Sequence, residues 1–540
     1  MKQFFTFDKE KRFLVSLMTA TAVILGFSFP PFSFGITAFF GFVPFLIMAD
    51  RIGSYGRFFR YSYATFFFFS LISLYWVGGF THGKDPFLMI AGAALFLWEP
   101  LVLSIPAMVY YFVRRQFRNN LSHVAFPFIW ITMEWLYAYG ELAFPWLHIG
   151  NTQTYQLDKI QFADITGVYG ISLWVLVINV LVYSIILLMQ SDRKRSKAIM
   201  IAVGIAILYV LPDFYAPQVP SEGPSDGVTI GIVQPNIDPW DKWEGADTFE
   251  GRWAQVERYL SLISSHIDES VDIVVLPESA ILLNLPQFRD HMERVMTAAD
   301  TMQVSILSGY VRVKYYADGT APVTSNTLRG STVRYDSYNS ILFVQPGIDT
   351  VQSYSKMRLV PFAERIPYAE QIPALIEPLR WGVGISNWGL AKDSTLFQAH
   401  SDSVKFLAMV CYESIFPEFV AEFVKKGAEF LVFTTNDSWW GNTSGARQHN
   451  QYAVLRAIEN RRWVARCANG GISSFIDPHG TMYDATDMYT ETYIQRTIHP
   501  RTELTYYSRH GDWLARICAS IALGILLFSI SYTIYRKYNG

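Results

Sequence analysis

Apolar residues along this 540-residue chain gather into two groups of long runs, separated by a stretch of ordinary mixed character. The first group holds about seven runs of bilayer-crossing length, which takes roughly 17–25 residues. They fall near 13–29, 34–50, 58–80, 87–113, 121–139, 167–190 and 197–212, and an eighth near 513–535 closes the chain. Each is read as a membrane helix. Runs two, five and seven are the weakest, being short or carrying residues such as Glu134. The alternative for those three is a buried or re-entrant helix.

Between the two groups the period changes. Short β-branched runs at Val228–Gln234, Val271–Pro277 and Val304–Ser308 are predicted strands, and Lys405–Cys411 and Phe430–Thr434 continue the series. Arg252–Ile267 and Gln448–Cys467 read as helices. Strands alternating with helices predict an α/β layered domain, and about 280 residues are enough for a core of its own. A linker rich in Pro, Ser and Gly, Ala216 to Gly227, leads into it. The expected division is 1–215 for a membrane domain of about seven helices, 216–510 for the α/β domain, and 511–540 for a last membrane helix.

Charge checks this count independently. Lys2, Lys9, Lys11 and Arg12 precede the first run; Arg51, Arg57 and Arg60 lie between runs two and three. Arg114, Arg115 and Arg118 follow run four, Arg193, Lys194, Arg195 and Lys197 separate six from seven, and Arg536 and Lys537 follow the eighth. The intervening connections carry little beyond Lys84 and Lys159. Basic loops stay cytoplasmic. Both termini are then expected in the cytoplasm and the α/β domain outside. A missed segment would destroy the alternation. No small-residue cleavage site follows the first apolar run, so that run is read as a retained helix and not a signal peptide.

Composition agrees. Hydrophobic residues are 51% of the chain and charged residues only 17%, against roughly 25% in soluble proteins. A net charge of −2 leaves no basic surplus for nucleic acid. Cys411, Cys467 and Cys518 are neither a disulfide framework nor a zinc site, and no metal or cofactor is expected.

Reactive side chains stand where predicted strands end. Glu278 follows VVLP, Cys411 follows FLAMV, and Lys356 sits in YSKMRLVPFAERIP with Glu364 eight residues on. A thiol at a strand–turn–helix junction is expected to be exposed, with a helix N-terminus aimed at it, which lowers its pKa. Singly, each signal is weak: a lone Cys is more often core filler, a strand-end Glu a cap, a lone Lys a surface charge. Cys467, on a predicted helix, and Cys518 read as apolar filler, and His148 and His449 as hydrogen-bonded structural residues.

Together, PES at 277–279, the Lys356 segment and CYES at 411–414 resemble the Glu–Lys–Cys triad of the nitrilase superfamily, in order and spacing. Asn436–Asp437 with SWWG, and NGGIS at 469–473, are similar to further superfamily signatures. The resemblance implies an αββα sandwich. It also implies Glu278 as general base, Cys411 as nucleophile, and Lys356 with the Tyr412 backbone N–H stabilising the oxyanion.

The likeness narrows to one membrane-anchored branch, the apolipoprotein N-acyltransferases of bacterial envelopes. It rests on Y-x-K-x-x-L-V-P-F-x-E-x-x-P at 354–367, FPW at 144–146 and the arm bearing Trp240 and Trp243. Ala363, where the family usually has Gly, and SWWG at 438–441, where AWFG is commoner, are departures that leave the triad intact. The fold class implied is a polytopic α-helical membrane protein of about eight transmembrane helices carrying a nitrilase-like αββα domain.

The implied reaction has two steps. Cys411 attacks a phospholipid ester, giving a thioester and a lysophospholipid. The α-amine of a diacylglyceryl-modified N-terminal cysteine on an apolipoprotein then takes the acyl chain. Glu364 is expected to orient Lys356 or relay a proton, or to be a structural ion pair; Glu413 carries a similar role weighted toward structure. Trp240, Trp243, Trp439 and Trp440 are expected to line a lipid portal, with ordinary core tryptophans as the alternative. The expected setting is the bacterial inner membrane, with the catalytic domain periplasmic and the protein a monomer.

The rival readings are an anchored amidase resolved by water, a non-catalytic scaffold on a dead nitrilase fold, and a transporter. About eight helices argue against the first, and an intact triad against the second. The third is opposed by the scarcity of intramembrane ionisable residues, Glu99 and Glu134 being the main candidates.

Overall fold

The computed structural model describes residues 9–80, 86–117, 120–189, 195–215, 217, 227–244, 248–317, 319–376, 388–399 and 404–539. Most of the Ala216 to Gly227 linker lies outside them. The apolar runs become α1 (Lys9–Gly26), α2 (Ala38–Gly41), α3 (Val43–Arg51), α4 (Tyr55–Leu74), α5 (Pro86–Gln116) and α6 (Ala125–Leu136). The short α7 (Ala163–Thr166), α8 (Val168–Met189), α9 (Arg195–Val210) and a C-terminal helix, Trp513–Asn539, complete this part.

Among the described residues, four helical stretches are long and apolar enough to cross a membrane: Leu88–Gln116, Val168–Met189, Arg195–Phe214 and Trp513–Tyr538. Two of the weak runs differ from a single spanning helix, each for a physical reason. Run two is split at Phe42, with Pro44 in the first turn of α3. Asn179 of α8 takes up the interrupted backbone, accepting from Phe42 N at 2.8 Å and donating to Ala38 O at 2.8 Å. Run five yields only the 12 residues of α6, about 18 Å of helix against a hydrocarbon core of about 30 Å.

The chain after α6 is not a solvent loop. Residues 145–153 form two 3-10 turns whose side chains, Trp146 and Ile149 among them, are buried. Aromatic and aliphatic residues here continue the apolar run without helical continuity, because they pack against the α/β domain instead of lipid. Run seven behaves oppositely, with only 6% of its most apolar window buried against the rest of the protein.

The α/β part contains two sheets. The first holds β1 (Val228–Gln234), β2 (Ile273–Val275), β3 (Ser305–Tyr316), β4 (Asn326–Thr327), β5 (Arg334–Val344), β6 (Gln352–Ser355) and β13 (Thr492–Ile498), in the order β13-β1-β2-β3-β5-β4, with β6 on β5. The second holds β7 (Phe397–Ala399), β8 (Val404–Val410), β9 (Leu431–Thr435), β10 (Val464–Ala468), β11 (Ser474–Ile476) and β12 (Met482–Tyr483), in the order β12-β11-β10-β9-β8-β7. The centres are parallel, β1-β2-β3 and β8-β9-β10, and the flanks antiparallel. Near-continuous apolar runs fit central strands buried on both faces.

One face of the first sheet shares a core with the second sheet, through Ile230, Val275 and Phe343 with Phe406, Ala408 and Val432. Its other face, through Val274, Ile306 and Val344, carries the helices Phe249–His266 and Arg289–Met302. The second sheet is flanked by Pro417–Lys425 and Ser444–Asn460.

One expected element is corrected. The helix read over Gln448–Cys467 ends at Asn460, where Arg461 takes a left-handed φ of 49°, and Cys467 lies on β10. Its Sγ sits in the core, donating toward Val233 O at 3.5 Å and Val275 O at 3.4 Å.

The two parts are bolted together by buried polar groups. Gln448 donates to Pro30 O at 2.8 Å and Ser73 O at 3.1 Å, while its Oε1 accepts from Trp76 at 3.1 Å and Trp146 at 2.8 Å. Arg461 pairs with Asp164 at 2.9 Å, and Glu459 accepts Val168 N at 2.9 Å.

Candidate active site

Glu278, Lys356 and Cys411 leave the ends of β2, β6 and β8 and line one cavity of about 480 Å³. All three are buried.

Cys411 opens a 3-10 turn, Cys411–Ile415, with φ 49°, and the helix after it begins only at Pro417. A left-handed non-glycine residue stores about 1–3 kcal/mol, so other groups must hold it there. Ser414 Oγ donates to the Cys411 carbonyl at 2.8 Å, and His449 Nε2 lies 3.2 Å from the same oxygen. Behind His449 stand Asp437, 2.8 Å from Nδ1, and Arg466, 2.7 Å from the other Asp437 oxygen.

The expectation of an exposed, acidified thiol is corrected. Burial, reinforced by Glu278 and only partly opposed by Lys356, pushes the Cys411 thiol well above its usual range. The helix N-terminus invoked to acidify it starts beyond the turn. A resting thiol of this kind needs a base.

Glu278 sits on a turn whose next residue, Ser279, also has positive φ, 51°. The adjacent strand β3 passes so close that a Cβ at Gly309 would meet Ser279 N at 2.4 Å and Pro277 O at 2.5 Å. Lys356 Nζ donates to Glu364 at 2.8 Å and to Glu278 at 3.5 Å. Burial alone would lower its pKa; the carboxylates of Glu364 and Glu278 outweigh that and hold it above the ordinary lysine range. Lys356 is therefore an ammonium. The second Glu364 oxygen accepts Val360 N at 2.8 Å, which fixes the loop.

Glu413 faces away from this cluster and ties the nucleophile turn to the Lys356 loop. It accepts from Tyr354 at 2.6 Å, Met357 N at 2.7 Å and Val410 N at 2.9 Å. Tyr412 lines the cavity, and its hydroxyl donates to Ala143 O at 2.7 Å.

Two polar residues at the site escaped the sequence reading. Asn339 of β5 donates to Glu278 Oε1 at 2.7 Å and reaches Glu364 at 3.4 Å. Lys242, on the helical turn Pro239–Glu244, is buried and donates to the Glu278 carbonyl at 3.3 Å. Neither sits in a recognisable motif. Asn339 stands between Tyr338 and Ser340 and Lys242 between Asp241 and Trp243, and neither setting gives a signal.

The cavity continues away from the charges. Leu88, Ala91, Gly92, Leu95 and Trp98 of α5, spaced three and four apart on one helix face, line it together with Trp76, Phe144 and Trp146. Trp439 and Trp440 line it too, while Trp240 packs edge-on to Trp439 with ring centres 5.0 Å apart. Trp440 packs on Trp76 at 4.6 Å. The side chain of Trp243 lies outside the described residues.

Cys411, Asp437 and His449 bring ligand-type atoms within 4.8 Å of one another. Arg466 already supplies the cation there. His148 is a buried hydrogen-bonded residue, its Nε2 3.2 Å from Glu134 O. Glu134 accepts from Ile149 N at 2.8 Å, and Glu99 accepts from the Tyr137 hydroxyl at 2.9 Å.

Residues 21–181 match the apolipoprotein N-acyltransferase N-terminal domain, and residues 229–507 match the carbon-nitrogen hydrolase family. The chain is 33% identical over 535 residues to the apolipoprotein N-acyltransferase of Chlorobaculum tepidum, covering 96% of each chain. It is 28% identical over 520 residues to that of Geobacter metallireducens, covering 95% of each. An amidase from Nesterenkonia sp. superposes with a TM-score of 0.35 at 13% identity, over 51% of this chain and 92% of that one.

Proposed function

The chain belongs to the apolipoprotein N-acyltransferase family, and on that basis we propose that Cys411 carries an acyl chain from a phospholipid to the α-amine of a lipoprotein's diacylglyceryl-cysteine. The observation that carries this reading is the cavity itself. Its charged end holds a nucleophile, a carboxylate and an ammonium, and its other end opens along the apolar face of α5. A water-soluble amide has no use for that second end.

Glu278 takes the Cys411 proton as the sulfur attacks the ester carbonyl. The ammonium of Lys356 and the backbone N–H of Tyr412 receive the oxyanion. As the tetrahedral species collapses, Glu278 returns the proton to the departing lysophospholipid oxygen, leaving a thioester. The acceptor amine then attacks the same carbonyl, Glu278 removes its proton, and the thiolate leaves and is reprotonated. Each half-reaction begins and ends with the same charge on the protein, and the lysophospholipid leaves before the amine attacks, which makes the cycle ping-pong. Glu364 positions Lys356, Glu413 holds the turn, and the tryptophans Trp240, Trp439 and Trp440 form the lipid entrance.

The same reading covers the rest of the chain. The α/β part is an αββα sandwich spanning 216–510, flanked by a membrane domain at 1–215 and a last span at 511–540. About eight segments cross the bacterial inner membrane, with the catalytic domain periplasmic, both termini cytoplasmic and the protein a monomer. A reporter fused just after Val210 should read as extracytoplasmic, and a cytoplasmic signal would overturn that orientation. The Cys411→Ala variant should fold, bind lipid and transfer no acyl chain (retained transfer would remove Cys411 as nucleophile). The rival is a lipid hydrolase, in which water removes the acyl group.

A further inference from the structure

Lys242 is a lysine where a lysine is costly. Its side chain is buried, 1% exposed, and among the described residues its ammonium has one acceptor within hydrogen-bond distance, the Glu278 carbonyl at 3.3 Å. An ammonium has three donors to satisfy, and taking a charge out of water is unfavourable unless it is paired and hydrogen-bonded. Burial accordingly lowers the Lys242 pKa to about 7, against the opposing pull of Glu278. A methionine of similar length would fill the same space without that penalty. Packing alone does not explain the residue.

Its position does. Lys242 meets Glu278 at its backbone carbonyl and is not among the residues lining the cavity, whereas Asn339 and Lys356, which line it, engage the Glu278 carboxylate. The peptide it touches precedes Ser279, the residue with φ 51°. The turn that carries it also carries Trp240, which packs on Trp439 at the cavity wall. The same arm is pinned to the second sheet by Asn469, which donates to Ile237 O at 2.6 Å and accepts from Ile237 N at 3.3 Å. Docking of the arm thus places a cation one peptide away from the carboxylate that takes the thiol proton.

We propose that Lys242 is a positioning residue for the general base: its ammonium fixes the strained Glu278–Ser279 peptide when the Trp240 arm is docked, and so aims the Glu278 carboxylate at the Cys411 thiol. The inference rests on Glu278 acting as base in the reading above. The charged and titratable groups about Glu278 are Lys356 and Cys411, with Glu364 beyond Lys356, and the arm that carries Lys242 also bears Asp238 and Asp241. Without the Lys242 donor the Glu278–Ser279 peptide loses its hold on the arm, the carboxylate is no longer aimed at the thiol, and thioester formation slows.

The test uses the full chain in phospholipid vesicles, with the hydroxylamine-sensitive acyl adduct on Cys411 followed by intact mass over a range of phospholipid concentrations. Wild type forming no adduct would sink the acyl-transfer reading itself, before Lys242 is at issue. With wild type active, Lys242→Met should have an unchanged or higher Tm, because a buried charge is gone. It should nevertheless form the adduct about 10-fold more slowly at saturating phospholipid, with the half-saturating concentration unchanged, the pattern of a misplaced base and not of a lost substrate contact. Lys242→Arg, which keeps a donor for the Glu278 carbonyl, should restore most of the rate. The inference is overturned by a Lys242→Met rate equal to that of wild type, by a fall in Tm that accounts for the lost activity, by failure of that variant to fold, or by an arginine variant no better than methionine.

Discussion

At the scale of single residues the site works by refusing easy ionisation. Cys411 is buried, held as a thiol, and kept in a left-handed conformation by Ser414, His449 and the Asp437–Arg466 pair behind them. Lys356 stays an ammonium because two carboxylates surround it. Such a thiol reacts only when a base is at hand, so Glu278→Gln should slow thioester formation about 10²–10⁴-fold with little change in Tm, measured as adduct on Cys411 over time. A normal rate would remove Glu278 from the reaction. The motif residues were legible because each ends a strand within a short, recognisable string. Asn339 was not, since an Asn between Tyr338 and Ser340 gives no hint that it will bridge Glu278 and Glu364 across two strands. The protonation of Cys411 was misjudged for a physical reason: a strand–turn–helix pattern does not say how far the helix starts from the thiol, nor how dry the turn is.

At the scale of elements, legibility followed burial. Strand β1 runs over Val228–Gln234 as its β-branched pattern predicts, because both of its faces are covered. Strand β3 runs on to Tyr316, beyond the apolar segment, because its outer half pairs with β5 as far as Arg334 and needs no apolar face for that. The helix Ser444–Asn460 stops before Cys467 because Arg461 turns left-handed, which composition does not announce. Helix α5 carries the functional burden on the membrane side. Its face at Leu88, Ala91 and Leu95 walls the cavity, and a Cβ at Gly92 would lie 2.3 Å from the Gly78 Cα, so the helix is seated closely. Ala91→Trp should therefore cut kcat/KM with long-chain phospholipids about 10–100-fold, in the range of an obstructed apolar pocket. Adduct formation from a short-chain ester should change little. Equal loss with both esters would mean that this face does not hold the acyl chain.

At the scale of the whole molecule, the two parts are one device. The stretch after α6, which in sequence resembles the tail of a membrane helix, is buried as the floor between them, and Gln448 joins Pro30, Ser73, Trp76 and Trp146 at a single point. Buried amide bonds of this kind cost about 1–3 kcal/mol each when left unpaired, so the cluster of Glu278, Lys356 and Cys411 and the apolar wall are held in register. That register is what the proposed reaction needs, in which the ester enters along α5 and the thioester waits, shielded from water, for an amine. Everything proposed for this chain depends on one acyl group resting on Cys411 between donor and acceptor. Intact mass of the protein in phospholipid vesicles, taken before and after addition of a diacylglyceryl-cysteine peptide, reads that intermediate without a proxy. A hydroxylamine-sensitive adduct should appear on Cys411 and disappear in step with acylation of the peptide's α-amine. An adduct that leaves at the same rate without the peptide, or a peptide acylated by the Cys411→Ala protein, would show that no such intermediate carries the transfer.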